Sequence, residues 1–167
     1  MEEKIGRKQI SRQLFSLLMA LCFTLALLPA IAPPAVAVIG STTQYVDATA
    51  GDDTNGDGSQ GSPYQTIQKA VDELEKLPFT DATIHIAAGI YQEPVTIVKN
   101  ISLIGADRST TIIDGDTDGD GTGDSRCLTI SDSSSVSRIE NLTIRNGLAP
   151  SDKNGGGIYC NGKLTVE

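Results

Sequence analysis

The sequence has few aromatic residues and few of the residues that usually carry redox or nucleophilic chemistry. Its 167 residues include no tryptophan, three phenylalanines, four tyrosines, three cysteines and one histidine. The low aromatic content argues against a compact globule built around large core side chains. The single histidine, His85, has no evident Ser or Cys partner, so a nucleophilic triad has no support in the sequence.

Positive charge is also scarce. Thirteen Lys and Arg residues stand against 21 Asp and Glu residues, which gives a formal net charge of -8. This balance argues against a nucleic-acid backbone as partner and against a basic membrane-surface protein. The hydrophobic fraction of 39% is nevertheless too high for a plainly disordered chain.

The N-terminus has the three parts of a secretory signal peptide. Basic residues from Lys4 to Arg12 precede the apolar run 14–28, and Ala35-Val36-Ala37 has the small-residue pattern of a cleavage site. The alternative is an uncleaved membrane anchor, but the apolar run is shorter than the roughly 20 residues of a usual span. We therefore predict a signal peptide over residues 1–37 and a secreted or cell-surface protein with no membrane span in its mature chain.

The exported part is more acidic than the whole. Residues 38–167 keep 9 basic and 19 acidic residues, a formal net charge of -10. Residues 38–61 combine an extended segment, with Tyr45-Val46 as its expected strand, and an acidic glycine-rich loop. Residues 62–78 predict a helix, because Ser62 to Gln65 fits a capping box with proline at the first helical position. Its expected apolar face contains Ile67, Ala70, Val71, Leu74 and Leu77.

Residues 79–167 consist of short β-branched segments between Gly, Asp, Asn and Ser residues, which is typical of strands and turns. The expected strands are 83–87, 95–98, 101–104, 111–113, 128–131, 142–145, 157–159 and 164–166. His85 alternates outward if Ile84 and Ile86 face a core.

Three short patterns recur in the same order along these segments. The tripeptide at 95–97 returns at 128–130 and 164–166, the segment 100–103 returns at 141–144, and 111–113 resembles 157–159. Such recurrence predicts a coil with three strands per turn, in which equivalent strands stack in parallel about 4.8 Å apart. The alternative is an antiparallel β-sandwich, which requires hairpins and no ordered recurrence. The expected fold is thus all-β, a parallel β-solenoid of two to three turns.

Several segments carry a family resemblance. Pro-Tyr-x-Thr-Ile-Gln-x-Ala-Val at 63–71, Ala-Gly-Ile-Tyr-x-Glu at 88–93 and the stretches around them resemble right-handed parallel β-helix proteins of the pectin-lyase-like superfamily, pectinesterases among them. The resemblance covers roughly Tyr45 to Glu167. It implies a right-handed single-stranded β-helix whose N-terminal amphipathic helix covers the first turn. Since residues 164–167 lie within a repeated strand, we also expect the coil to continue into further turns.

One acidic loop has the spacing of a metal site. Residues 114–120 fit the pattern D-x-D-x-D-G-D of calcium loops, and alternate carboxylates in a tight glycine loop can converge on a hard cation. Ser125 stands where the usual bidentate Glu would be, and Asp124 is its expected substitute. The candidate Ca²⁺ ligands are Asp114, Asp116, Asp118, Asp120 and Asp124, with a solvated loop without metal as the alternative. Asp52, Asp53, Asn55 and Asp57 form a weaker version.

No catalytic residue is identified in the sequence. Asp107, Asp132 and Glu140 are outward carboxylates, but acid-base chemistry depends on a spatial separation that a sequence does not give. The segments that carry the pectinesterase catalytic residues have no counterpart here. Cys127 and Cys160 could form a disulfide only with a three-residue stagger between stacked strands.

Two functions remain open from the sequence. The first is an extracellular β-helix that binds or processes polysaccharide; if it is an enzyme, it is a lyase, hydrolase or esterase of uronate-type glycans. The second is a non-catalytic surface-display or adhesin module. The partner expected in either case is a polysaccharide or another extracellular ligand.

Overall fold

The computed structural model of the protein describes residues 39–151 and 153–167. The predicted signal peptide, residues 1–37, lies outside the described residues. Eleven strands and one helix make up the described part, namely β1 (Ile39–Val46), α1 (Ile67–Glu75), β2 (Phe79–Ile86), β3 (Gly89–Tyr91), β4 (Val95–Ile97), β5 (Ile101–Gly105), β6 (Thr111–Asp114), β7 (Leu128–Ile130), β8 (Val136–Glu140), β9 (Thr143–Arg145), β10 (Ile158–Cys160) and β11 (Lys163–Val166). Within these residues, the helix is too short and too polar to cross a membrane.

The strands form three parallel sheets that the chain visits in turn. The five-stranded sheet has the order β1-β2-β5-β8-β11, and the three-stranded sheets have the orders β3-β6-β9 and β4-β7-β10. Every strand pair in the described part is parallel. The alternative of an antiparallel sandwich is therefore wrong. A mostly β chain with parallel sheets and one helix is consistent with a parallel β-helix.

The core consists of inward side chains that stack from one strand to the next within each parallel sheet. Ile84, Leu103 and Ile139 occupy equivalent positions in the five-stranded sheet. Val95, Leu128 and Ile158 are equivalent in the β4-β7-β10 sheet, and Tyr91, Ile113 and Ile144 are equivalent in the β3-β6-β9 sheet. Because each aliphatic side chain packs on its neighbours above and below, the core needs few aromatic residues.

The predicted strand equivalences are wrong in three places. Residues 164–166 belong to β11 and pair with β8, not with 128–130. Strand β9 pairs with β6 rather than with 101–103, and β10 pairs with β7 rather than with 111–113. The connections 115–127 between β6 and β7 and 146–157 between β9 and β10 are much longer than the connection 92–94 between β3 and β4. Similar triplets at similar sequence distances therefore do not occupy equivalent positions. The sequence also missed β3 and β8, which are short and rich in Gly, Ser and charged residues.

The helix begins later than the capping box predicts. Thr66 is the N-cap, and its hydroxyl accepts from the Lys69 N–H. Tyr64 is extended instead, since its N–H donates to the Tyr45 carbonyl at 3.1 Å and its carbonyl accepts from the Asp47 N–H at 2.9 Å. The buried face is confirmed for Ile67, Ala70, Val71 and Leu74. Leu77 lies beyond the helix and is 37% exposed.

Two carboxylates from other segments hold the start of α1. Asp53, in the glycine-rich loop 51–61, accepts from the Gln65 and Thr66 N–H groups at 2.7 and 3.0 Å. Glu93, in the turn before β4, accepts from the Ile67 and Gln68 N–H groups at 2.8 and 3.0 Å. Burial raises the pKa of Glu93, although these N–H donors favour its ionised form. The helix is thus connected at its N-terminus both to the loop 51–61 and to the turn between β3 and β4.

Candidate functional site

The five-stranded sheet has more strands than either of the other two sheets of the described part, and its outer surface carries aligned side chains. Alternation along β2 buries Ile84 and Ile86 and turns Thr83 and His85 outward. The prediction that His85 faces outward is confirmed. Parallel register then aligns outward side chains across strands, so Thr83 lies beside Thr43 and Ser102, and His85 lies between Tyr45 and Ile104.

Tyr45 and His85 form a ring pair on this surface. Their centroids lie 5.2 Å apart and their planes differ by 20°, which is a stacked arrangement. The pairing follows from the register, because Tyr45 and His85 are direct Cα partners on β1 and β2. Ile104 continues the row on β5. The row places two planar rings and one aliphatic side chain at the C-terminal ends of three adjacent strands.

A cavity of about 290 Å³ opens beside this ring pair. Its walls include Tyr45, Asp47, Gln60, Pro63, His85 and Ile104. Small residues beneath them leave the space open, since Ala87, Gly105 and Ala106 also line it. A side chain at Gly105 would not fit, because a Cβ there would lie 2.2 Å from the Asn141 carbonyl oxygen. The loop 51–61 and the C-terminal ends of β1, β2 and β5 thus form one concavity together. Sequence reasoning missed this concavity.

Farther along the same face, Arg138 is held by two carboxylates. Its Nη2 lies 2.8 Å from Glu140 Oε2 and 2.5 Å from Glu167 Oε2. The hydrogen bond to Glu167, then the charges of Glu140 and Glu167, raise the pKa of Arg138. Glu140, an outward candidate from the sequence, is therefore used in an ion pair on the sheet surface.

The other two outward candidates stabilise their own turns. Asp107 accepts from the Ser109 N–H at 2.8 Å, and Asp132 accepts from the Ser134 N–H at 2.9 Å. These hydrogen bonds lower the pKa of each carboxyl, chiefly through the Ser109 hydroxyl at Asp107 and the Ser134 N–H at Asp132. Asp107 follows β5 and Asp132 follows β7, so the fold places them in turns after different sheets. The described residues give these three carboxylates structural roles.

The acidic loop 114–124 brings three of the five predicted calcium ligands together. Carboxylate oxygens of Asp116, Asp118 and Asp120 lie within 4.8 Å of one another. Asp116 is buried and accepts from the Gly119, Asp120 and Gly121 N–H groups, while Asp118 and Asp120 are exposed. In the described part of the chain, this is the one group of three or more acidic, His or Cys side chains with that geometry.

The two outer ligands of that prediction have different partners. Asp114 is buried, with Arg145 Nε at 2.7 Å and Asn146 Nδ2 at 2.9 Å. Burial alone would raise the pKa of Asp114, but the hydrogen bonds from Arg145, Asp116 and Asn146 bring it below its ordinary value. Asp124 Oδ2 accepts from the N–H and hydroxyl of Thr117 at 2.9 and 3.0 Å. Both carboxylates close the base of the loop.

The weaker acidic pattern at 52–57 is also structural. Asp52 accepts from the Thr54 and Asn55 N–H groups and from the Asn55 side chain. Asp53 holds the helix start, and Asp57 accepts from the Ser59 N–H at 2.9 Å. The loop is therefore shaped by turns that its own carboxylates satisfy.

Comparison with curated proteins finds no match for this chain. The family model described as Pectinesterase, in contrast, matches residues 54–166, which include the helix, every strand from β2 to β11 and the acidic loop 114–124. This match confirms the resemblance to the pectin-lyase-like superfamily of β-helix proteins. The chain belongs to the Pectinesterase family.

Proposed function

We propose that this protein binds a pectin-type polysaccharide along the outer face of its five-stranded sheet. The observation that carries the proposal is the Tyr45–His85 ring pair beside a cavity on a face of aligned Thr and Ser side chains. Stacked rings suit the apolar faces of sugar rings, and hydroxyl side chains suit their hydroxyl groups. Membership of the Pectinesterase family supports a pectin-type ligand.

We also propose how the strands and the helix are arranged. The strands wind as a right-handed solenoid, and α1 covers its first turn. The buried face of α1 and its contacts with β1, β2 and β4 support this role, because the first turn of a solenoid otherwise exposes apolar side chains. The long outer face then offers consecutive sites to an extended polymer.

The proposal also places the protein outside the cytoplasm. The basic start, apolar run and Ala35-Val36-Ala37 site support export with cleavage after Ala37. N-terminal sequencing of the protein recovered from the extracytoplasmic fraction should begin at Val38. Recovery of an intact N-terminus there would contradict cleavage.

A matched pair of tyrosine variants tests polysaccharide binding. Tyr45 belongs to the ring pair, whereas Tyr159 lies outward on another sheet, beside Arg126. We expect Tyr45→Ala to weaken pectin binding about five- to tenfold, because one stacking ring contributes on the order of 1 kcal/mol. Tyr159→Ala should leave binding unchanged in isothermal titration calorimetry or affinity electrophoresis. Equal affinities of both variants, or no pectin binding by the wild type, would refute the proposal.

A non-catalytic surface module is the second candidate function. It is favoured by the structural use of Asp107, Asp132 and Glu140, whose carboxylates are engaged by their own turns or by Arg138. Measuring methanol and unsaturated uronate release from pectin separates the two candidates. A reducing-sugar assay on the same samples adds the hydrolase, which forms neither of these products. Binding without methanol, unsaturated uronate or new reducing ends favours the module, and release of any of them by the wild type establishes an enzyme.

A further inference from the structure

The cavity beside Tyr45 and His85 has the size of a single-ring site. Its volume of about 290 Å³ lies at the lower end of the range for small-molecule sites in proteins, which begins at roughly 300 Å³. One wall carries the Tyr45 and His85 rings, and Pro63 and Ile104 add further apolar surface. Gln60 and Asp47 contribute polar groups. This mixture fits a pyranose ring, which has apolar C–H faces and polar hydroxyl edges.

The charge of the lining distinguishes between kinds of pyranose. Among the described residues that line the cavity, Asp47 is the one acidic side chain, and no Lys or Arg is present. Apart from His85, no lining side chain can carry a positive charge, so a ligand carboxylate inside the cavity would meet the like charge of Asp47 with no Lys or Arg to offset it. An uncharged sugar meets no such repulsion.

The Asp47 carboxylate is fixed in position. Its Oδ1 accepts from the Thr49 N–H at 2.8 Å and from the Ala50 N–H at 3.0 Å. These two bonds occupy one oxygen and hold the side chain in the turn that follows β1. Because the turn determines its position, Asp47 cannot easily move away from a charged ligand.

We propose that this cavity binds an uncharged pyranose unit and that Asp47 excludes free uronates from it. The inference rests on the proposed polysaccharide function and specifies the chemistry of one position on that surface. The unit could be an esterified uronate within the main chain or a neutral sugar in a side branch. Both share an uncharged ring, and the experiment separates them.

Calorimetric titration of the whole protein with three oligosaccharides tests this selectivity. The probes are a fully methyl-esterified oligogalacturonide, the same oligogalacturonide with free carboxylates, and a neutral galacto-oligosaccharide. We expect the free acid to bind at least about tenfold more weakly than the esterified form. Tighter binding of the esterified oligomer than of the neutral one identifies the main chain as the source, and the reverse order identifies a side branch.

Asp47→Asn should reduce this discrimination. Asparagine keeps the Oδ1 acceptor for Thr49 and Ala50, so the turn is preserved while the charge is removed. Binding of the free acid should rise about tenfold, and binding of the esterified oligomer should change less than twofold. Asp132→Asn is the matched control, because Asp132 holds a similar turn outside the cavity. It should leave all affinities unchanged.

A second variant keeps the test decisive if Asp47→Asn does not fold. Gln60 is exposed at the cavity, so Gln60→Lys adds a cation there and should shift the preference toward the free acid. The inference is overturned if the wild type binds both acid and ester equally, or if neither variant changes their ratio while pectin binding persists. Absence of binding to pectin and to all three probes would instead refute the proposed function and the inference together.

Discussion

Individual carboxylates in this protein mainly stabilise the local backbone. Asp52, Asp57, Asp107 and Asp132 each accept from an N–H group two residues ahead. Hydrogen bonds within these turns lower the pKa values of the four carboxyls, chiefly from the side chains of Asn55, Ser59 and Ser109 at the first three and from the Ser134 N–H at Asp132. A turn of this kind needs an acceptor at its first position, and a short carboxylate supplies it. Much of the acidity of the chain thus follows from the many turns between its short strands.

Glu73 gives a pH prediction at the residue scale. On the surface of α1 it lies 2.7 Å from Lys69 Nζ and 2.8 Å from Lys76 Nζ, and hydrogen bonds from these lysines lower its pKa to about 2. A lowered carboxyl pKa stabilises the fold above the ordinary value of 4.5, and this contribution is lost as the pH falls toward 2. Thermal melts of Glu73→Gln should therefore differ from wild type at pH 6 and converge with it near pH 2.

A constant difference between Glu73→Gln and wild type across that pH range would contradict this assignment. NMR titration of the Glu73 carboxyl carbon gives an independent measurement, since its midpoint should lie well below that of an unpaired glutamate.

The two cysteines of the described residues give a second prediction. Cys127 is buried and its thiol donates to the Arg145 carbonyl at 3.1 Å, whereas Cys160 is exposed; both are free. Cys160 pairs with Ile130, three positions past Cys127, so the two Cα atoms are too far apart for a disulfide. Burial, chiefly, raises the pKa of the Cys127 thiol and lowers its reactivity.

A thiol reagent should therefore label Cys160 rapidly and Cys127 only on unfolding. Mass mapping of labelled peptides checks this, and Cys160→Ser should remove the rapid labelling at these two positions. A Cys127–Cys160 disulfide, or equal labelling rates in the folded protein, would contradict the register of β7 and β10.

At the scale of elements, the stacked strands give a stability prediction. Leu103 is fully buried on β5 between Ile84 and Ile139, whereas its neighbour Ile104 is half-buried on the outer face. Leu103→Ala should lower the free energy of unfolding by about 2–5 kcal/mol, because it leaves a cavity between the inward side chains of β2 and β8. Ile104→Ala should cost about 1 kcal/mol or less. Urea unfolding measures both, and similar losses would show that β5 does not alternate as described.

Calcium binding by the acidic loop 114–124 stays a prediction. Three converging carboxylates repel one another, and a divalent cation offsets that repulsion. We expect millimolar Ca²⁺ to raise the melting temperature by a few degrees relative to chelator, since a ligand that binds the native state stabilises it. Asp118→Asn should reduce this shift, and Asp107→Asn, outside the loop, should not. No shift in the wild type would favour a solvated loop without metal.

Some elements could be predicted from sequence because their signals are local. The apolar face of α1 follows from spacing within nine residues, and the inward alternation of β2 follows from Ile84 and Ile86. Strand β8, with the sequence Val-Ser-Arg-Ile-Glu, has little hydrophobic signal and forms because β5 and β11 pair with it on both sides. The start of α1 was missed for a similar reason, since pairing with β1 extends Tyr64.

The candidate site was harder to predict than the fold. Tyr45, Gln60 and His85 come from three separate segments, and register brings them together. His85 was recognised as an outward residue, but no local pattern identifies Tyr45 as its stacking partner. The acidic loop was predicted from its spacing, yet that spacing could not show that Asp114 pairs with Arg145, 31 residues away.

At the scale of the whole molecule, the charge distribution affects which polymers can approach. The chain carries a formal net charge of -8, and several described cations are used in internal contacts. Arg138 and Arg145 pair with carboxylates, while Arg126 and Lys99 donate to backbone carbonyls. Long-range electrostatics should therefore repel a polyanion such as de-esterified pectin.

Salt dependence tests this repulsion. Raising the ionic strength from 0.01 to 0.15 M shortens the screening length from about 30 Å to about 8 Å. We expect binding of polygalacturonate to strengthen several-fold over that range, and binding of highly esterified pectin to change little, because the esterified polymer carries few charges. Affinity electrophoresis or calorimetry at matched polymer concentrations measures both. Weaker polygalacturonate binding at higher salt would instead reveal a basic contact surface, and the outer face of the five-stranded sheet would then not be where the polymer binds.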